Sequence, residues 1–181
     1  MADIIKYSPE YAEEVGQRLS IGQVGILPCD TIYGLSAKVG EEWAGRLYEI
    51  KKRPQSKSFI TLMTKEQLLE SSLIVPEDLL ERWPAPLTAI LMDSDGSTHA
   101  VRVPSDSFLQ LVLPYSGPVY STSVNFSGEK SLLTFGEIYP VFSSLVDFII
   151  DSPETKGGMA STLIDATVKP YRIIRQGSYV I

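Results

Sequence analysis

The 181-residue sequence has one cysteine, Cys29, and one histidine, His99. A single cysteine excludes an intrachain disulfide and predicts a reducing, cytoplasmic setting. A lone histidine without cysteine companions excludes a Cys/His zinc site, and no metal ligands are assigned. A Cys29–His99 nucleophile pair is formally available, but a free cysteine is more often a small buried hydrophobe. Neither G-x-x-x-x-G-K-[ST] nor G-x-G-x-x-G occurs, so both common phosphate loops are missing. No apolar run approaches a membrane span, and Met1-Ala2-Asp3-Ile4-Ile5-Lys6 lacks the shape of a signal peptide. Positive charge is scarce: 16 Lys and Arg stand against 22 Asp and Glu, a net charge of −6. That balance argues against a protein whose main work is coating nucleic acid. It leaves room for a local basic site for a nucleotide or a tRNA.

An apolar content of 44% and a charged content of 21% describe an ordinary globular chain. No repeat or linker divides it, so residues 1–181 are expected to form a single domain. Apolar periodicity predicts helices over about 9–20, from about Glu41 to Pro54, and over 67–70, 79–83 and 108–113. Buried runs predict strands at 24–28, 59–63, 87–92, 100–103, 118–121, 146–150, 162–164 and 171–174. Helices and strands interleave, which makes the class α/β with a mixed sheet. Polar residues gather just past expected strand ends, at Asp30 and Thr31, at Ser121 to Asn125 and at Ser161. Ligands collect at such positions in open α/β sheets.

The stretch Tyr48-Glu49-Ile50-Lys51-Lys52-Arg53-Pro54-Gln55-Ser56-Lys57 reverses the overall charge. Several cations aimed at one point can neutralise a polyphosphate. The same residues can also simply close a helix, because cations complement its C-terminal dipole and Pro54 would stop it.

Six ordered blocks resemble one family. Pro28-Cys29-Asp30-Thr31-Ile32-Tyr33-Gly34-Leu35 is similar to its P-T-[DE]-T-x-Y-G-L opening. Lys51 to Lys57 follows its K-x-R-P segment, and Trp83-Pro84-Ala85-Pro86-Leu87-Thr88 is similar to W-P-G-P-L-T. Val101-Arg102-Val103-Pro104 matches A-V-R-x-P. Ser121-Thr122-Ser123-Val124-Asn125-Phe126-Ser127-Gly128 resembles S-T-S-A-N-x-S-G. Ser161-Thr162-Leu163-Ile164-Asp165 and Arg175-Gln176-Gly177 resemble the closing S-T-[IV]-[IV]-D and R-x-G. This is the YrdC-like family of threonylcarbamoyl-AMP synthases, and the chain resembles its short stand-alone form.

The resemblance implies a single-domain twisted open mixed sheet with flanking helices around a positively lined cavity. It implies a nucleotidyltransferase that joins L-threonine and bicarbonate to the AMP part of ATP and releases pyrophosphate. Mg²⁺ would accompany ATP, and a threonylcarbamoyl-transfer enzyme would pass the group to tRNA. By the same resemblance Lys51 and Arg53 are catalytic. Together with Lys57, Ser123, Asn125 and Arg175 they would bind the nucleotide. Arg102 would take the threonine carboxylate, helped by Thr31, Thr122 and Ser161. Lys156-Gly157-Gly158 would be a cover over the site. Cys29, Leu62 and Ala160 depart from the pattern on the amino-acid side, where threonine, histidine and glutamate are common. Ser58 and Ala85 replace a proline and a glycine. Two other readings stay open: a divergent YciO-like paralogue with another substrate, and a module binding double-stranded RNA or tRNA.

Overall fold

The computed structural model describes residues 1–152 and 158–181. Lys156 and Gly157 of the expected cover therefore lie outside the described residues. Eleven described strands form one mixed sheet. In spatial order they are β1 (Asp3–Lys6), β9 (Phe148–Asp151), β2 (Gly25–Leu27), β3 (Gly34–Lys38), β8 (Val119–Ser123), β4 (Ile60–Leu62), β7 (Thr98–Arg102), β6 (Leu87–Asp93), β10 (Thr162–Asp165) and β11 (Arg172–Arg175). The short β5 (Leu73–Ile74) pairs with the far end of β6. Strand β8 runs two residues beyond its expected end, so Thr122 and Ser123 stand on the strand itself.

Period-two alternation sends successive side chains to opposite faces. Ile26 and Ile149 pack under α2 (Glu41–Lys51) and α6 (Phe135–Phe142), beside Leu47, Ile50, Ile138 and Phe142. Leu27, Phe148 and Ile150 pack under α1 (Ala12–Ser20) and α5 (Ser107–Ser116), beside Val15, Leu19, Leu109 and Val112. Each fully buried Leu, Val or Ile contributes about 1.5–3 kcal/mol. The two helices of the second pair approach closely at Gly16, where an added Cβ would lie 2.5 Å from the Cβ of Tyr115. Helix α5 starts at Asp106, whose carboxylate accepts from Leu109 N at 2.9 Å.

Farther along the sheet a third core forms. Leu87, Ala89 and Leu91 of β6, Val101 of β7 and Ile164 of β10 pack beneath α3 (Lys65–Leu69) and α4 (Glu77–Leu80), with Trp83. The alternate residues Thr88, Ile90, Ala100, Arg102 and Leu163 therefore point to the other face. There α1 and α5 do not reach, and the sheet floors a cavity.

Candidate active site

The cavity holds about 340 Å³, the lower end of the range typical of small-molecule sites. Thr31, Arg53, Arg102, Thr122, Ser123, Ser161 and Arg175 all line it. These seven are 144 residues apart at the extremes of the chain, and the sheet order brings them together. Lys51, Lys57 and Asn125 do not line it.

Arg53 follows the left-handed C-cap of α2, Lys52, with φ of 50°, which turns the chain off the helix axis. Its guanidinium lies over the Phe59 ring, 5.2 Å from the centroid. Nη1 donates to Thr122 Oγ1 at 3.2 Å and Nη2 to the Ser58 carbonyl at 3.0 Å. Phe59 stands in turn between Tyr48 and Tyr120, with centroids 4.5 and 5.8 Å away. Burial lowers the Arg53 pKa, and its buried Nε has no hydrogen-bond partner. Arg175 reaches in from the rim of β11 and donates from Nε and Nη2 to the Ser161 carbonyl. Burial, then the nearby Arg102 charge, lowers its pKa. Among the described residues neither Arg53 nor Arg175 has a carboxylate within ion-pair distance. Two uncompensated guanidinium groups in one recess form an anion receptor.

Arg102 differs. It is 5% exposed and already neutralised by Asp30, whose Oδ1 lies 3.3 Å from Nη2. It also donates to Thr31 Oγ1 at 3.2 Å and to the Cys29 sulfur. Burial disfavours the Asp30 carboxylate, but Arg102, the Cys29 thiol and Ser105 outweigh it and hold its pKa below the usual range. The same burial pushes the Cys29 thiol up to about 12. Cys29 thus stays a protonated thiol behind the cavity wall, donating to Asp30 at 2.9 Å. Its sulfur is not a cavity-lining group, whereas Leu62 and Ala160 are.

Lys51 lies only 2% exposed, and its ammonium donates to the Ser123 carbonyl and to Asn125 O and Oδ1, the latter two at 3.0 and 3.1 Å. Asn125 Nδ2 donates to the carbonyls of Phe126 and Glu129. Both side chains are spent on the turn after β8. Lys57 lies on the exposed turn that follows Pro54, its carbonyl accepting from Tyr48 Oη at 2.9 Å. Asp30 was noted from sequence only as a polar residue past a strand end, not as the partner of Arg102, and Phe59 was given no site role.

Residues 17–177 match the family Sua5_yciO_yrdC, described as Telomere recombination. The chain belongs to the Sua5/YciO/YrdC family. Within it, the chain is 33% identical over 172 residues to a threonylcarbamoyl-AMP synthase of Pyrococcus abyssi, covering 86% of this chain and 51% of that one. It is 28% identical to the synthase of Pseudoalteromonas translucida, over 82% of this chain and 89% of that one. The P. abyssi Sua5 complexed with L-threonine superposes with a TM-score of 0.87 at 28% identity, covering 98% of this chain and 57% of that structure. The E. coli YciO structure superposes at 0.85 over 99% and 98% of the two chains, and its 22% identity speaks for the fold alone. The chain spans about half to two thirds of the P. abyssi and mammalian relatives. Among the described residues no helix is long and apolar enough to cross a membrane.

Proposed function

We propose that this chain is an L-threonylcarbamoyl-adenylate synthase acting in tRNA modification. The observation that carries the reading is the pair Arg53 and Arg175, uncompensated by any described carboxylate, in a cavity that also presents Thr122, Ser123 and Ser161. Its relatives are named for the product, threonylcarbamoyl-AMP, and one was solved with L-threonine; L-threonine, bicarbonate and ATP are the substrates that would assemble that product. Threonine's amine adds to the carbon of bicarbonate, water leaves, and an N-carboxylate results. That carboxylate attacks the α-phosphorus of ATP, the bond to the β-phosphate oxygen breaks, and pyrophosphate departs.

This chemistry asks the protein for positioning and charge neutralisation. Arg53, stacked on Phe59 and tethered at both Nη atoms, is pre-set to meet phosphate oxygens without first losing side-chain freedom. Arg175 meets them from the opposite wall, and the mutual repulsion between Arg175 and Arg102 falls when an anion lies between them. Ser123 and Thr122 supply neutral hydrogen bonds. Lys51 and Asn125 serve the same site from behind by fixing Ser123, and Arg102 with Thr31 marks the amino-acid side. Among the described residues no three His, Cys, Asp or Glu side chains are grouped to hold a metal ion. Mg²⁺ would accompany the triphosphate as part of the substrate. The product would pass to a separate threonylcarbamoyl-transfer enzyme.

The test is pyrophosphate release from ATP with and without threonine and bicarbonate. Release that needs both, and that is lost in Arg53→Ala, is the expected result. ATP binding without amino-acid-dependent release would favour the paralogue reading, for which Leu62 and Ala160 in the cavity wall are the supporting observation. Salt-sensitive RNA retention without turnover would favour the RNA module.

A further inference from the structure

Arg53 is held by an aromatic ring and two hydrogen bonds, whereas Arg175 stands on a strand with little support of its own. All four residues of β11 are exposed, so no helix packs over it and apolar burial does not fix its place. The strand closes one end of the sheet and pairs only with β10. Between Leu163, which pairs with Arg175, and Ile164, which pairs with Ile173, the register slips. An irregularity of this kind re-aims a side chain but disrupts the ladder that carries it.

The support comes instead from the residues after the strand, through one hydroxyl. Thr162 of β10 is fully buried and does not line the cavity. Its Oγ1 accepts from Gly177 N at 3.0 Å and donates to the Tyr179 carbonyl at 2.6 Å. The same carbonyl accepts from Gln176 Nε2 at 2.8 Å. Tyr179 and Ile181 then pack against the third core. Gly177 lies so close to the backbone of Ala160, Ser161 and Thr162 that no side chain fits there. Arg175 grips that segment too, donating from Nε and Nη2 to the Ser161 carbonyl at 3.2 and 2.9 Å. The run from Arg175 to Tyr179 is thus clamped on Ser161 and Thr162, with the guanidinium at one end and the buried hydroxyl at the other. Without that hydroxyl, Gly177 N–H loses its partner and the turn must shift to find another.

We infer that Thr162 is a positioning residue for Arg175: its hydroxyl sets the turn after β11 and, through it, where the guanidinium meets the nucleotide. The inference rests on the synthase reading and deepens it. The test is a double-mutant cycle on ATP affinity, read by calorimetry and as the KM for ATP in pyrophosphate release. Thr162→Val keeps the branched shape without the hydroxyl, and Thr162→Ser keeps the hydroxyl without the methyl. Thr162→Val should raise the Kd and KM for ATP about five- to tenfold with kcat within about twofold, the pattern of lost binding rather than lost chemistry. Thr162→Ser should restore affinity to within about twofold of the wild type. In Arg175→Ala, adding Thr162→Val should change the affinity by less than about twofold, because the group it positions is gone. An equal loss in both backgrounds, or a serine variant as weak as the valine one, overturns the inference. Should Thr162→Val not fold, Gln176→Ala removes the second tie to the Tyr179 carbonyl from an exposed position and enters the same cycle. Its loss of affinity, about threefold, should likewise disappear in Arg175→Ala, and its persistence there overturns the inference. If the wild type binds ATP without releasing pyrophosphate, the synthase reading fails alone and the calorimetric cycle still decides the role of Thr162. If it binds no ATP, both fall.

Discussion

Lys51 and Arg53 stand two residues apart in a run of like charge, yet one faces the core and the other the cavity. The helix sets this difference. Leu47, Ile50 and Lys51 occupy positions i, i+3 and i+4, one face of α2, and all three are buried. Arg53 falls after the left-handed cap and leaves that face. The basic run was visible in the sequence, but charge counting carries no direction; the phase with Leu47 did carry it. Burial, with Arg53's charge second, lowers the Lys51 pKa from 10.5 to about 8. The folded chain then gives up this proton near pH 8, while the unfolded chain keeps it to 10.5. More protons are bound by the unfolded state between those values, so this group's contribution to stability rises with pH across that window. Melting temperatures of the wild type should gain on those of Lys51→Met as pH rises through it. A constant or shrinking gap would contradict the assignment. At Arg53, lysine keeps the charge but loses the planar fork and the seat on Phe59. Arg53→Lys should weaken ATP binding at least about tenfold by calorimetry, the scale of one lost charged hydrogen bond.

At the scale of elements, long apolar runs such as Leu87–Met92 were legible, because a buried strand needs them. The weak edges were not. Strand β3 reads Gly-Leu-Ser-Ala-Lys, small and half polar, and becomes a strand because β2 and β8 pair with it on both sides. Helix α6 contains Gly136 and Pro140, both breakers in sequence, and was missed entirely. Its signal was the capping box, in which Thr134 Oγ1 accepts from Glu137 N while the Glu137 carboxylate accepts from Thr134 N. Thr134→Ala should cost about 1 kcal/mol in denaturant unfolding and leave turnover unchanged, since no residue of α6 lines the cavity. The closing R-x-G has a steric meaning too. A Cβ on Gly177 would fall 2.2 Å from the Ala160 carbonyl and 2.4 Å from Ser161 C. Gly177→Ala must push the strand bearing Arg175 off β10, so it should raise the KM for ATP more than it lowers kcat.

For the whole molecule, the order of the sheet matters more than any single motif. It sets Arg53 against Arg175 across the cavity, with no carboxylate among the described residues within ion-pair distance of either. Ligand binding and folding are therefore linked. ATP at a hundredfold excess over its Kd should add about 2.7 kcal/mol of stability. For a chain of this size that raises the melting temperature by about 5 to 10 °C. The shift should vanish in Arg53→Ala; its survival would place the nucleotide elsewhere. The family and its cavity were legible from six ordered motifs, because those motifs are what the strand ends carry. The division of labour within the basic run was not, because it depends on the end of β8 and the turn after it, 72 and 74 residues away, which hold Lys51.

Cys29, buried beneath Arg102 and protonated at any ordinary pH, gives the chain a built-in clock. An alkylating reagent meets a thiol here only after the wall between Asp30 and Arg102 has opened. Each molecule can take one label, so the rate at which the labelled fraction grows reports the population of the open state. Run with and without ATP, the labelling rate distinguishes opening of the amino-acid side alone from global unfolding, without any substitution in the site.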